Sequence, residues 1–349
     1  MTATPEFWAG RPVCVFGGTG FLGRHLVSRL LDCGARVRTL SLGGPPLDPH
    51  PHLDARTGDV ADPAAVRAAV EGTGTVFLAA GPVGVGPELS RGMGAHPDAL
   101  ASVRAALPTE ARLVLTSSIV AVGATLRGEV LNEDSPFPNA DLNVGYVQAK
   151  RRAEEAALAA APRQDVVVVN PGYLFGPNDL GTSVMGELCL RFWRGTLALP
   201  PAGGINGVDV RDAAEGHLLA AERGARGRRY ILGGENVHLT DLYAALARAA
   251  VLRRVVLPSF RPPLPSWAFW LIAAFAELGR RLTGRNPEVS FELVRMLRRH
   301  WFVDSARARG ELGFTTRPLA ETLADTFAWH AARTHVAPRG LNRLWLRRA

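Results

Sequence analysis

Tyr146 and Lys150 stand four residues apart in "YVQAK", inside a stretch that runs on through Arg151, Arg152, Ala153, Glu154 and Glu155 and reads as a helix. Four residues are about one helical turn, so a phenol and an ammonium would emerge side by side on one face. Such a pair can handle a proton together. It can equally be two solvated side chains on a surface helix, and the spacing alone leaves both readings open.

A second stretch with chemical content is "VCVFGGTGFLGRHL", which passes from an apolar run through Gly17, Gly18, Gly20 and Gly23 into a helix. Gly17, Gly20 and Gly23 fit a GxxGxxG spacing, and Gly18, Gly20 and Gly23 fit GxGxxG. One glycine serves the tight turn, one lets backbone approach a pyrophosphate, and one lets the helix pack on the strand. The helix N-terminus then offers N–H groups to phosphate. A merely tight turn would explain one of these glycines but not four. The stretch therefore predicts a dinucleotide site, with Gly17, Thr19, Gly20, Phe21, Leu22 and Gly23 as its contacts.

About 20 residues on, an acid would hold the adenosine ribose diol. Here the second strand ends "VRTLSL", with Ser41 in that place and Arg38 and Arg24 nearby. A hydroxyl beside an arginine accommodates a 2′-phosphate, which favours NADP and leaves NAD open. "GDV" follows the third strand: Asp59 could accept from the adenine amino group, or stand in the N-cap region ahead of "DPAAV".

These residues need elements to hold them. Short β-branched runs alternate with Ala/Leu/Arg-rich segments over the first 235 residues, as βαβ units do. Strands are predicted at 13–16, 37–42, 55–58, 76–80, 113–117, 166–170 and 230–232. A helix over 25–31 would bury Leu26, Val27, Leu30 and Leu31. The fold class is α/β: a doubly wound parallel sheet of the Rossmann kind, with right-handed crossovers and a smaller, mostly helical C-terminal lobe for the substrate. Residues 1–170 form the dinucleotide-binding domain, with its sheet completed by about 205–235. Residues 171–204 and 236–349 form the lobe and tail, where "PSFRPPLP" gathers prolines.

Composition bounds the function. The chain of 349 residues is 47% hydrophobic and 21% charged, which excludes wholesale disorder. Cys14, Cys33 and Cys189 are too few and too scattered for a disulfide framework or a metal cluster, so no metal is expected. The N-terminus lacks the basic start and apolar stretch of a secretory signal, and the apolar run 267–276 is about half a bilayer crossing. A cytoplasmic protein is expected. The net charge of +8 has no interleaved stacking aromatics, so nucleic acid is not expected as a partner. In the tail, Leu341, Leu344 and Trp345 share a stripe among Arg343, Arg347 and Arg348. That stripe could rest on an anionic membrane surface, although packing on its own domain is preferred. A homodimer stays open.

Taken in order, "GGTGFLG", "GDV", "FLAAG", "LTSSIVAVG", "YVQAK", "NPGYLFGPND", "GVDVRDAAEGHLLA" and "FVDSARARGELGF" resemble the extended short-chain dehydrogenase/reductases, over nearly the whole chain. The likeness is strongest to the dihydroflavonol-reductase-like and NAD-dependent epimerase/dehydratase branch. The resemblance implies a cofactor across the C-terminal edge of the sheet and a catalytic set of Ser118, Tyr146 and Lys150. A phenol titrates near 10 when free, and a neighbouring ammonium would lower it. Ser118 would hydrogen-bond the substrate oxygen, with Ser117 as the competing serine. Lys150 would also reach the nicotinamide ribose. Further cofactor contacts implied are Val60 beside Asp59, the run Ala79, Ala80 and Gly81 after the fourth strand, and Pro171, Gly172 and Leu174 beside the nicotinamide.

Asp209 and Asp212 could touch substrate, but a salt bridge through Arg211 is preferred, and His217 reads as a helix residue rather than a metal ligand. The chain departs from the family pattern in "RGMGAHPDALASV", which lacks the asparagine of an N-V-x-G-T motif, and in the Gly/Pro-rich loop "GPVGVGPELS".

The leading expectation is an NAD(P)-dependent oxidoreductase acting on a ketone or secondary alcohol of a small apolar metabolite. The apolar bias is read from "PSWAFWLIAAFAEL", where Trp267, Phe269, Trp270 and Phe275 line a pocket or form core. One alternative is a nucleotide-sugar epimerase or dehydratase with tightly held NAD, for which "RRLTGRNP" could bind a diphosphate. Another, of a different class, is a dinucleotide-sensing or scaffold protein without turnover.

Overall fold

The computed structural model describes residues 2–81, 95–108, 110–139, 142, 144–181, 183–195, 202–251, 271, 274–275 and 291–334. Seven parallel strands form the main sheet: β1 (Pro12–Phe16), β2 (Arg36–Ser41), β3 (Leu53–Thr57), β4 (Thr75–Leu78), β5 (Arg112–Thr116), β6 (Asp165–Pro171) and β9 (Arg229–Leu232). Their order is β3-β2-β1-β4-β5-β6-β9, and every pairing is parallel. These are the seven strands expected from the sequence, each within two residues at either end.

Both faces of this sheet are covered, which is why its strands read as unbroken apolar runs. In β1, Val13 and Val15 join one core cluster while Cys14 and Phe16 join the other. In β6 the same split separates Val167 and Val169 from Val166 and Val168, as the two-residue period of a strand requires. One layer holds α2 (Phe21–Asp32) against α8 (Val210–Arg223); the other holds α3 (Pro63–Val70), α4 (Ala95–Ala106) and α6 (Gly145–Ala160). Short α1 (Pro5–Trp8) packs below, and α5 (Ile119–Val122) follows β5. Of the α2 stripe expected to be buried, Leu26, Val27 and Leu30 are buried and Leu31 is half-buried against the same cluster.

The lobe is less purely helical than expected. A second, three-stranded sheet runs β10 (Glu235–His238), β8 (Gly204–Asp209), β7 (Tyr173–Phe175), with β10 antiparallel and β7 parallel to β8. Within 205–235, then, only α8 and β9 complete the main sheet. Helices α7 (Val184–Trp193), α9 (Leu239–Val251), α10 (Phe291–Leu297) and α11 (Leu319–Arg333) surround the small sheet. A separate core of Phe175, Trp193, Ile205, Tyr243, Leu323 and Phe327 joins them.

Among the described residues no helix is long and apolar enough to cross a membrane. Trp267, Phe269, Trp270, the segment "RRLTGRNP", the tail from Leu341 to Arg348 and most of "GPVGVGPELS" lie outside the described residues. Phe275 is described and exposed, so it is not core there.

Candidate active site

The glycine turn leaves β1 at Gly17, whose φ of +83° suits a residue without a side chain. Gly23, in the first turn of α2, is tighter still: a Cβ there would sit 2.0 Å from the Gly17 carbonyl oxygen. Gly17, Gly20 and Gly23 line a large cavity, whereas Gly18 backs onto Thr39. The GxxGxxG spacing is therefore the one that faces the ligand space. Gly20 caps α2 with no side-chain hydrogen bond, so the N–H groups of the first turn are offered to an anion by the helix itself. A backbone stripped of Cβ atoms at a helix N-terminus is the cradle that a dinucleotide pyrophosphate requires, and these residues fit that group.

The cavity measures about 480 Å³ and lies beyond the C-terminal ends of the central strands, where ligands of open parallel sheets bind. Thr19, Phe21, Leu22, Ala79, Gly81, Ser118, Tyr146, Lys150, Pro171, Gly172 and Leu174 share its wall with the three glycines. Four expected contacts do not line it. Ala80 packs its backbone behind Gly17. Val60 packs against the core. Asp59 is exposed and accepts from the Ala61 N–H at 2.8 Å, an Asx turn that precedes the true N-cap of α3, Asp62. Ser41 stands behind the turn and accepts from the Thr19 N–H at 3.3 Å.

Of the two arginines considered for a 2′-phosphate, Arg38 is committed elsewhere. It donates to Asp54 and to the Ala68, Ala69 and Glu71 carbonyls at the end of α3. It shares a strand face with Leu40, away from Ser41. Arg24 lines the cavity, donates to the Pro45 and Pro46 carbonyls of the loop after Ser41, and keeps a buried Nε without a partner.

Tyr146 and Lys150 are both buried, at 9% and 7% exposure, which removes the solvated-surface reading of the pair. The Lys150 ammonium donates to the Thr116 carbonyl at 3.0 Å, at the end of β5. Burial pushes Lys150 down to about 8, while the Glu154 carboxylate pulls it back up. Tyr146 corrects an expectation: burial pushes its phenol up to about 12, and the opposing influence is a hydrogen bond with Ser118, not the ammonium. Dehydration is the larger of these two influences.

Ser117 and Ser118 part company at the end of β5. The Ser117 hydroxyl donates to Glu154 at 2.6 Å; Ser118 caps α5 and hydrogen-bonds Tyr146. Glu154 also accepts from Asn170 at 2.6 Å and Arg229 at 2.9 Å, forming a buried polar block beneath Lys150. His217 lies in α8 with one ring nitrogen 2.6 Å from the Ala213 carbonyl and the other 3.0 Å from the Thr116 hydroxyl. Burial pushes it to about 4, so it is neutral at pH 7, its Nδ1 donating to the carbonyl. Asp209 pairs with Arg211 at 2.7 Å as expected, but Asp212 pairs with Arg317 at 2.8 Å. Among the described residues no metal-holding cluster of His, Cys, Asp or Glu occurs, and the three cysteines are free and buried.

Two contributions escaped the sequence. Leu293, Met296 and Leu297 of α10, with Trp301 behind them, form part of the cavity wall, and only the tertiary fold brings them there. His96, in α4, is buried with its ring centroid 6.1 Å from that of Tyr146. Its sole sequence signal is a histidine on the buried face of a helix that follows β4.

The model of the NAD dependent epimerase/dehydratase family matches residues 13–233. A putative dihydroflavonol 4-reductase of Synechocystis sp. is 33% identical over 337 residues, covering 92% of this chain and 96% of its own. Sterol demethylase protein B of Methylococcus capsulatus is 30% identical, over 91% and 98% of the two chains. The crystal structure of gox2253 superposes with a TM-score of 0.78 at 30% identity, covering 93% of this chain and 98% of that one. With the nucleotide cradle and the buried Ser/Tyr/Lys group in place, the chain belongs to the NAD-dependent epimerase/dehydratase family of extended short-chain dehydrogenase/reductases, a family of NAD(P)-dependent enzymes.

Proposed function

We propose that this enzyme moves a hydride between NADP and a ketone or secondary alcohol carried by a small apolar metabolite, with Tyr146 as the acid/base. One observation carries the reading. Ser118, Tyr146 and Lys150 border the same cavity as the glycine turn, and much of the wall beyond them is apolar, from Leu180, Val184, Met185, Leu188, Leu293 and Met296, with Asp179, Ser183 and Arg299 as polar members. A polar corner set in an apolar chamber suits a substrate whose single oxygen is held while its carbon skeleton is dehydrated. The relative named as a dihydroflavonol 4-reductase supports the reductive sense, and the one named as a sterol demethylase protein supports an apolar skeleton.

The residues divide the work. Gly17, Gly20 and Gly23 would hold the pyrophosphate at the N-terminus of α2, and Pro171, Gly172 and Leu174 would stand beside the nicotinamide. The bound cofactor supplies hydride exchange at a carbon bearing oxygen. Ser118 hydrogen-bonds the substrate oxygen and stabilises charge that develops on it. Tyr146 gives its phenolic proton to that oxygen in reduction and takes it back in oxidation. Lys150, held by the Thr116 carbonyl, presents its charge toward the same corner. Ser41 in place of an acid supports NADP over NAD, as does Arg24, whose unpartnered Nε lies beside the loop after Ser41.

A screen of apolar ketones and alcohols against the absorbance of the reduced nicotinamide tests this. Turnover with NADPH on an apolar ketone is expected; no turnover on any of them would overturn it and favour the scaffold reading. The epimerase reading, which the family's name keeps alive, predicts NAD retained through purification and turnover of a nucleotide sugar instead.

A further inference from the structure

Thr116 is the last residue of β5, and its carbonyl and its hydroxyl are gripped from opposite faces of the sheet. Strand β4 pairs with β5 only as far as Leu78 and Leu115, whereas β6 runs on to pair Val169 with Thr116 and accepts the Ser117 N–H at 2.8 Å. The Thr116 carbonyl, turned away from β6, therefore lies beyond the end of β4, and no neighbouring strand fixes its direction. It accepts instead from the Lys150 ammonium, which comes from α6, at 3.0 Å. The Thr116 side chain lies on the other face, with Val114, where its hydroxyl meets the His217 Nε2 of α8 at 3.0 Å. That ring is itself held, since its Nδ1 donates to the Ala213 carbonyl at 2.6 Å, one turn back in the same helix. With the proton on Nδ1, Nε2 is an acceptor and the Thr116 hydroxyl is the donor.

We infer that His217 is a positioning residue of the active site: acting through Thr116, it pins the end of β5 so that the Thr116 carbonyl holds the Lys150 ammonium in the catalytic corner. An apolar side chain would fill this wholly buried position without the cost of dehydrating an imidazole. What the imidazole adds is one acceptor, and that acceptor falls on the residue whose carbonyl carries the ammonium. His217 stands behind the cavity wall, of which Thr116 is part, so its influence on the chemistry travels through Thr116. Neutrality belongs to the device: burial pushes the imidazole down to about 4, so at pH 7 Nε2 keeps its lone pair for Thr116 and adds no charge beside Lys150. The catalytic consequence rests on the oxidoreductase reading above; the pinning of Lys150 does not.

Crystal structures and kinetics of three variants test this. His217→Leu is expected to lose the hydrogen bond between Lys150 and the Thr116 carbonyl, whereas His217→Gln, whose side-chain oxygen can accept from Thr116, is expected to keep it. A leucine variant in which Lys150 still meets that carbonyl at the parent distance overturns the inference, whatever the enzyme's activity. In turnover, His217→Leu is expected to lower kcat about tenfold or more, the scale on which a misplaced catalytic group acts, with the Kd for NADPH within a few-fold and with His217→Gln retaining most of kcat. Thr116→Val removes the hydroxyl and leaves the carbonyl; it should lose as much as the leucine variant, and the double variant should lose no more than either alone. Additive losses, a fully active leucine variant, or a glutamine variant as impaired as the leucine one each overturn the assignment. Rates are taken per folded molecule, from thermal melts, so that misfolding does not pass for mispositioning. If His217→Leu does not fold, Thr116→Val replaces it in both arms, and parent kcat or an undisturbed Lys150 in that variant overturns the inference. Should the wild-type protein turn over no ketone or alcohol, the functional reading fails while the crystallographic arm still decides this one.

Discussion

Lys150 keeps its charge inside the protein beside one carbonyl, and the protein bears a cost for that arrangement. Its pKa is lowered in the folded state, from 10.5 to about 8. Below pH 8 it is protonated both folded and unfolded, and the full penalty applies. Between pH 8 and 10.5 the unfolded chain binds the extra proton, so stability rises with pH there. The shift corresponds to about 3 kcal/mol, from which the lost hydrogen bond to Thr116 takes back about 1 kcal/mol. Lys150→Met is therefore expected to be inactive and about 2 kcal/mol more stable than the parent at pH 7 in denaturant melts, the gap closing between pH 8 and 10.5. A variant less stable at pH 7 would show that the ammonium is not dehydrated as described. Arg24 makes a separate prediction. Arg24→Ala should weaken NADPH binding about tenfold, the worth of one charge-assisted contact, and leave NADH nearly untouched. Fluorescence titrations with both nucleotides check this, and equal losses would place Arg24 away from the 2′-phosphate. The choice of Arg24 over Arg38 was legible in principle, since strand alternation puts Arg38 on the face of Leu40 and not of Ser41. The preference for Ser118 over Ser117 came from the family resemblance alone; its physical reason, the hold of Glu154 on the Ser117 hydroxyl, lies 37 residues away in sequence.

The turn between β1 and α2 shows how an element sets the chemistry of a site. Three small residues face the cavity because the backbone of Gly17 and the first turn of α2 touch; any side chain on Gly23 would have to displace the Gly17 carbonyl. Gly23→Ala should therefore open the turn, raise the Kd for dinucleotide at least tenfold and lower Tm, measured by titration and by thermal melts; unchanged affinity would mean that the turn does not cradle the pyrophosphate. The elements of the main sheet were readable because strands buried on both faces need apolar runs such as "VVVV" in β6. The small sheet of the lobe was not. Strand β8 reads "GINGVD", poor in β-branched residues, yet all six positions are buried. What makes it a strand is tertiary: β7 and β10 flank it, and Asn206 ties it to Asn236 at 2.8 Å. Helix α10 contributes side chains to the cavity from far along the chain, a placement that no local periodicity encodes.

At the scale of the molecule, two bodies of different composition meet over the sheet's C-terminal edge. The sheet and its helices bring the glycine turn, Ser118, Tyr146 and Lys150; the lobe brings a roof that is mostly apolar but includes Asp179, Ser183 and Arg299. Motif order along the chain was enough to anticipate that division and the family, because most of the motifs follow the ends of parallel strands, where the fold delivers side chains to one edge. The shape and lining of the chamber depend on lobe packing and could not be read in advance. In the mechanism proposed above, Tyr146 exchanges a proton with the oxygen of a substrate held in that chamber. The direct test is single-turnover reduction of an apolar ketone by pre-bound NADPH, comparing wild type with Tyr146→Phe. A loss of roughly 10²–10⁴-fold in the rate is expected, with NADPH affinity within a few-fold of the parent; a phenylalanine variant that reduces the ketone at the wild-type rate would rule out Tyr146 as the proton donor.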